Sequence, residues 1–378
     1  MGVAFDPIAL LGRLVAEPSC DPPGGELGVA KLVLAELQRL GIDAELTEFA
    51  PGRANVMGRV AGQGNRPAMV FSAHMDTTPT GTAGWEFDPF AGDVVDGRVR
   101  GRGTADMKGA LVASIGAAYA IAERPTPLGG DVILAFTAGE SANCIGARYL
   151  VEQGFRSSIG AFLCGEPSSL DLVIAEKAIL WLEIETTGRL GHVSGGAGTN
   201  AIDAMVECLV RLKHVALDLP NHPLLDAPSV AVGRISGGSA VNVTPDRCVA
   251  EVDVRFGPGI DVDTVVSQLA AQLPAAASIR VTDFKAAVER APDDAFVSLC
   301  ADVIKSQTGN EPSRVGVSYY SDAAILLDGL DVPFAIVGPG DLGASGQPNE
   351  SVSVENIHHA MTIYESIATR WLGEMTDS

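Results

Sequence analysis

The sequence predicts an α/β protein of two domains, one inserted into the other. Three observations carry that reading. Apolar runs ending in His, Asp or Glu alternate with helical periods over residues 1–179; a compact βαββαβ order occupies 180–287; and the α/β alternation resumes over 288–378. A chain of 378 residues has room for both domains, because single hydrophobic cores stop growing well before this length.

Asp6-Pro7 before IALLGRLVAE supplies a capping residue and a proline at the first helical position, so a helix starts there. GELGVAKLVLAELQRL has apolar residues at helical spacing and stops at Gly41. AELTEF and NVMGRV, separated by Pro51-Gly52, read as strands. The apolar run from Ala68 to Ala73 is a buried strand, and His74 and Asp76 follow with the spacing that puts both on one face. The glycine-rich turn GRGTAD delivers Asp106 to the mouth of a helix over 107–124. DVILAFTA is a strand ending at Gly139-Glu140-Ser141, GARYLVEQG a helix, and IGAFLCGEP a strand ending at Glu166.

Three successive strands therefore end in His74 with Asp76, in Glu140 and in Glu166, and the first loop adds Asp106. In an open α/β sheet, functional groups gather outside the carboxyl ends of the strands. Singly these residues are unremarkable, since a helix-start Asp is commonly a cap and a strand-end His a satisfied polar group. Together they point to a metal site: a histidine, a carboxylate able to hold its ring, and further carboxylates at one edge.

The inserted segment reads as strand WLEIETTG, helix NAIDAMVECLVRL, strands PSVAVGRIS and DRCVAEVDVRF, helix DVDTVVSQLAAQL and strand SIRVTDF. That is the ferredoxin-like order, compact by itself. FVSLCADVIKSQTG, the Ser-Asp segment YYSDAAILLDGL, the strand PFAIVG and a helix over 354–371 complete the α/β part.

Composition narrows the function. A net charge of −21 argues against nucleic acid, whose phosphates need Lys and Arg. Mean hydropathy is +0.22, yet no apolar run approaches the roughly eighteen residues that span a bilayer, so no membrane partner is expected. The first residues, MGVAFDPIALLGRL, lack a basic segment and a cleavage pattern, and Asp6 breaks the myristoylation pattern. The cysteines Cys20, Cys144, Cys164, Cys208, Cys248 and Cys300 form no CxxC pair, as expected of reduced thiols in a cytoplasmic protein.

AHMDTTP, WEFDPF, GRGTADMKG, TAGE, CGEPS, GHVS with TNAIDAM, GGSAVNVTPD with VDVRF, and GPG with QPNESV occur in order along nearly the whole chain. In these motifs the sequence resembles the acetylornithine deacetylase and succinyl-diaminopimelate desuccinylase family of zinc metallopeptidases, relatives of the aminoacylases and glutamate carboxypeptidases. The resemblance implies a zinc-peptidase-like α/β catalytic domain interrupted by a ferredoxin-like lid that makes a homodimer. It further implies that His74 binds one metal, Asp106 bridges two, Glu166 completes the first site and Asp76 supports His74. Glu140 would be the general base, and His192, in the lid, would stabilise the oxyanion. Asn242 and Arg255 would hold a substrate carboxylate, which a guanidinium fork suits because it bonds both oxygens.

The sequence departs from the family's pattern at two places, both belonging to the second ion. Ser141 stands where a second Glu would bind it, and Gly346 stands where its His would be. His358 and His359 lie further on, in the expected last helix, and Cys144 is a remote substitute. His74, Asp106 and Glu166 remain, three ligands with an open position, as in a catalytic zinc site; cobalt and manganese also suit them. The expectation is a one-metal amide hydrolase acting on an N-acyl amino acid or small peptide with a free carboxylate. One alternative is a non-hydrolytic relative, a binding or regulatory protein or one with an altered reaction on a carboxylated amine; the retained Glu140 speaks against it. Another is a serine hydrolase using Ser141, because Gly139-Glu140-Ser141-Ala142-Asn143 follows a strand as the G-x-S-x-G elbow does, though Asn143 replaces the last glycine. GRGTAD lacks the third glycine of a dinucleotide fingerprint.

Overall fold

A computed structural model of the chain describes residues 4–82, 84–195 and 199–373; residues 1–3, where the lipidation pattern would begin, lie outside them. The chain divides into two compact units, the first formed by Met1–Ile174, Arg290–Val315 and Ser321–Ser378, the second by Ala175–Glu289 and Gly316–Tyr320.

The first unit is built on a mixed sheet. Its order runs Asp43–Ala50, Arg53–Val60, Val132–Thr137, Ala68–His74, Ile159–Cys164, Phe334–Ile336 and Leu172–Glu176. The four strands from Val132–Thr137 to Phe334–Ile336 are mutually parallel, so their carboxyl ends share one edge. They are buried almost without interruption, as parallel strands covered on both faces are. Helix Gly109–Ala122 is apolar on all sides and nearly all buried, packed against the last helix, Val354–Leu372. Asp6 caps the first helix, Pro7–Ala16, accepting from the backbone of Ile8 and Ala9 at 3.0 Å each. A small sheet of Val94–Val95, Arg98–Arg100 and Ser351–Ser353 ties the segment after the first site motif to the one before the last helix.

The second unit is an antiparallel sheet in the order Ser229–Gly237, Arg247–Phe256, Ala178–Thr187, Ala277–Lys285, with helices Ala201–Leu212 and Val262–Gln272. Taken in chain order this is βαββαβ, with the first and third strands central, which is the ferredoxin-like topology. Leu180, Leu182, Ile184, Val252 and Val254 alternate inward against Met205, Cys208, Val265 and Leu269 of the helices. On the other face, ion pairs Arg247–Glu185, Arg280–Glu183 and Arg234–Glu251 cross the strands.

Leu172–Glu176 is a strand that the pattern does not separate from the next, Ala178–Thr187, because only Lys177 stands between two apolar runs. Before it, Ser169 and Leu170 both have positive φ (58° and 64°), a turn that composition gives no reason to expect at a leucine.

Candidate active site

The parallel strands place the expected residues at one edge. His74 ends its strand; Glu140 follows Val132–Thr137 and Glu166 follows Ile159–Cys164. Asp106 does not start the helix directly. It sits, with extended backbone (φ −124°, ψ 94°), inside a kinked turn over Thr104–Lys108, and the helix begins at Gly109. This turn aims its carboxylate at His74: Nε2 lies 2.9 Å from Asp106 Oδ1 and 3.7 Å from Glu166 Oε1. One ligand atom from each of the three residues lies within 4.8 Å of the others.

Asp76 supports His74 differently from expectation. It is the main-chain carbonyl of Asp76 that faces His74 Nδ1, at 3.0 Å, while its carboxylate is 3.6 Å from that nitrogen. The carboxylate instead accepts the backbone N–H groups of Glu140 and Ser141, each at 3.0 Å. One residue thereby fixes both the ring and the loop that carries Glu140. His74 has both ring nitrogens engaged by Asp76 and Asp106, so it does not serve Ser141 as a base. The serine hydrolase alternative therefore lacks His74 as its base.

The electrostatics of the cluster follow from its burial and its convergent carboxylates. Burial disfavours charge on His74, but the carboxylates of Asp76, Glu166 and Asp106 outweigh it and raise the pKa of the ring well above the ordinary value. Burial also works against the Asp106 carboxylate, yet hydrogen bonds from His74, Ser345 and Glu166 hold its pKa below normal. The donor set, one imidazole and two converging carboxylates that call for positive charge, fits a divalent cation. Glu140 is 9% exposed, and burial, with Asp76, Asp322 and Asp106 nearby, raises its pKa well above that of a free glutamate.

Several residues of the site have no role readable from the sequence. Glu350, 3% exposed, accepts the N–H of Ala105 at 2.9 Å and of Asp106 at 3.1 Å through Oε1. Its Oε2 pairs with Arg102 at 2.6 Å. Asp322 accepts the hydroxyl hydrogen of Thr137, at the end of the strand leading to Glu140. Gly338 and Gly340 are glycines for closeness: a Cβ would come within 2.2 Å of the Glu166 carbonyl oxygen and 2.3 Å of that of Ala105. Ser345 donates its hydroxyl hydrogen to Asp106 Oδ2. The late QPNES and GPG motifs and the Ser-Asp segment YYSDAAILLDGL are the sequence signals near these contacts.

In the second unit, Gly191–His192 pairs with Val243–Thr244, which brings His192 and Asn242 together; both are exposed, and the backbone of Val193 donates to the Asn242 carbonyl at 3.2 Å. Arg255 is half-buried, its Nε and Nη2 donating to Asp253 at 2.9 and 3.2 Å and its Nη1 to the Ser318 carbonyl at 2.6 Å. His358 is exposed and His359 half-buried on the last helix, and neither joins the ligand cluster.

Comparison with known proteins agrees with this geometry. The chain is 29% identical over 384 residues to a succinyl-diaminopimelate desuccinylase of Methylorubrum extorquens, covering 95% of this chain and 97% of that protein. It is 29% identical over 359 residues to an acetylornithine deacetylase of Vibrio campbellii, covering 90% of each. Its fold is that of a dinuclear metal binding peptidase of family M20 from Bacillus subtilis, with a TM-score of 0.73 at 18% identity over 97% of both chains. The profile of peptidase family M20/M25/M40 matches residues 70–370. With its motifs, fold and full-length relatives in agreement, the chain belongs to peptidase family M20/M25/M40 and is a hydrolase similar to the family's desuccinylases and deacetylases.

Proposed function

We propose that the protein hydrolyses the amide bond of an N-acyl amino acid or small peptide with a free carboxylate, using one divalent cation held by His74, Asp106 and Glu166. The observation that carries this reading is the convergence of one imidazole nitrogen and two carboxylate oxygens within 4.8 Å at the sheet edge, with the buried Glu140 following the neighbouring strand. Bound there, a cation such as zinc, or cobalt or manganese, supplies Lewis acidity, polarising the amide carbonyl and making water nucleophilic near neutral pH.

Glu140 takes the proton of the attacking water and returns it to the leaving amine. Burial and the carboxylates around it raise its pKa above that of a free glutamate, the direction that favours taking up a proton. Asp76 holds the Glu140 backbone in register with His74, so base and ligand keep one geometry. His192 stabilises the oxyanion, with Asn242 and Arg255 on the substrate carboxylate. For Arg255 the contacts favour this: Asp253 and Ser318 use three of the five guanidinium N–H groups, orienting the fork and leaving one hydrogen on each terminal nitrogen. The relatives' names describe removal of a succinyl or an acetyl group from an amino acid, the same class of bond.

The working form is a homodimer through the second unit. Ser229–Gly237 is an edge strand whose Val232 and Ile235 are 41% and 49% exposed, and helix Ala201–Leu212 leaves Val206 and Val210 more than half exposed. All six cysteines are free, and no helix of the described residues is long and apolar enough to cross a membrane; the free thiols suit the reducing cytoplasm.

The test is hydrolysis of a panel of N-acetyl and N-succinyl amino acids and dipeptides by the zinc-loaded protein, with Glu140→Gln alongside. Removing a general base should lower kcat/KM by roughly 10²–10⁴ while zinc content stays unchanged. Turnover that survives the substitution within tenfold would refute the role of Glu140; no turnover on any substrate would refute the proposed reaction.

A further inference from the structure

A second cation, which the dinuclear relative carries by name, does not fit the residues present. The positions that would ligate it hold Ser141 and Gly346. Among the described residues, the converging ligand atoms that include Asp106 are those of His74 and Glu166 alone. The remaining acidic cluster, Asp21, Glu26 and Asp76, contains Arg53, whose guanidinium already pairs with Asp21 at 2.6 Å and Glu26 at 2.7 Å.

What the structure places on the free side of Asp106 is a hydroxyl. The carboxylate is divided: Oδ1 faces His74, and Oδ2 accepts the hydrogen of Ser345. A bridging carboxylate would give that second oxygen to the second ion. The loop that carries Ser345 is anchored, since Arg102 donates to the carbonyls of Gly346 at 3.1 Å and Gln347 at 3.2 Å while paired with Glu350. Gly346 has φ +72°, a backbone that strains any residue with a Cβ, so the loop is shaped for glycine and against a histidine ligand.

We infer that Ser345 takes the place of the second cation: its hydroxyl occupies the Asp106 oxygen that a bridging carboxylate would offer that ion, so the chain holds one cation and Ser345 is a positioning residue for Asp106. This rests on the reading of His74, Asp106 and Glu166 as a cation site. A hydroxyl donor supplies direction to the carboxylate without adding charge. It keeps Oδ1 turned toward His74, which is the orientation the remaining cation needs.

The experiment is equilibrium dialysis of the protein against zinc chloride, with zinc per chain read by mass spectrometry, for the wild type, Ser345→Ala and Ser345→Thr. The wild type should saturate at one zinc per chain. Ser345→Ala should bind one zinc at least tenfold more weakly, the usual effect of losing a hydrogen bond to a ligand, and Ser345→Thr, which keeps the hydroxyl, should restore it. Ser345 is exposed, so the melting temperature of the metal-free Ser345→Ala protein should not move. Two zinc ions per wild-type chain would overturn the inference, as would Ser345→Ala binding zinc as tightly as wild type. No zinc on the wild type would refute the cation site itself, and the inference with it.

Discussion

Glu350→Ala should be among the most damaging single substitutions outside the candidate ligands, and the structure gives its size. Glu350 and Arg102 are 3% and 2% exposed and meet at 2.6 Å. Deleting one member of such a buried pair costs about 3–5 kcal/mol, because the other stays charged and buried. The backbone N–H groups of Ala105 and Asp106 lose their acceptor as well, which adds about 1–3 kcal/mol per orphaned group. Against this, Arg102 retains the carbonyls of Gly346, Gln347 and Pro79 and the face of Trp85. The net expectation is a loss of about 5 kcal/mol, the low end of those costs, because Arg102 keeps these partners. Urea unfolding of the metal-free protein followed by circular dichroism measures it, with equal m values required for the comparison. Arg102→Ala, alone and combined with Glu350→Ala, completes a double-mutant cycle in which the pair should show about 2 kcal/mol of coupling. Because Glu350 also holds the Asp106 backbone, zinc affinity should fall roughly 10–100-fold. A loss under about 1 kcal/mol, or singles that add without coupling, would refute the assignment of Glu350 and Arg102 as one buried unit.

Two further outcomes follow from the same structure. Burial pushes the Asp322 carboxyl from 3.8 up to about 6. A carboxyl raised by folding stabilises fully below its unfolded pKa and loses that contribution as pH rises through the folded value. Metal-free Asp322→Asn, whose amide oxygen still accepts from Thr137, should therefore gain on the wild type by about 3 kcal/mol between about pH 4 and pH 7. A difference between the two urea midpoints that does not change with pH would show that Asp322 is ionised throughout. In sedimentation velocity, Val210→Glu and Ile235→Lys should each convert a wild-type dimer to monomer by burying an unpaired charge; wild-type protein that sediments as a monomer at micromolar concentration would remove the dimer.

Much of the first unit is legible in one dimension. Continuous apolar runs mark the parallel strands Ala68–His74, Val132–Thr137 and Ile159–Cys164, and polar residues at their ends mark the candidate site, because strands buried on both faces leave only their termini for polar groups. The alternation of Leu180, Leu182 and Ile184 with polar neighbours marks a sheet covered on one face, so the βαββαβ order is equally readable. Ser141 and Gly346 are plain departures from the resemblance. The sequence could not say that the Asp76 carboxylate grips the Glu140 loop while its carbonyl holds His74. Nor could it bring Glu350 to Asp106, Asp322 to Thr137 or Ser345 to Asp106 Oδ2, contacts between residues 244, 185 and 239 positions apart. Periodicity records which face of an element is buried. Which elements become neighbours is set by sheet order, here Val132–Thr137 entering between Arg53–Val60 and Ala68–His74, and that order is decided when the whole core packs.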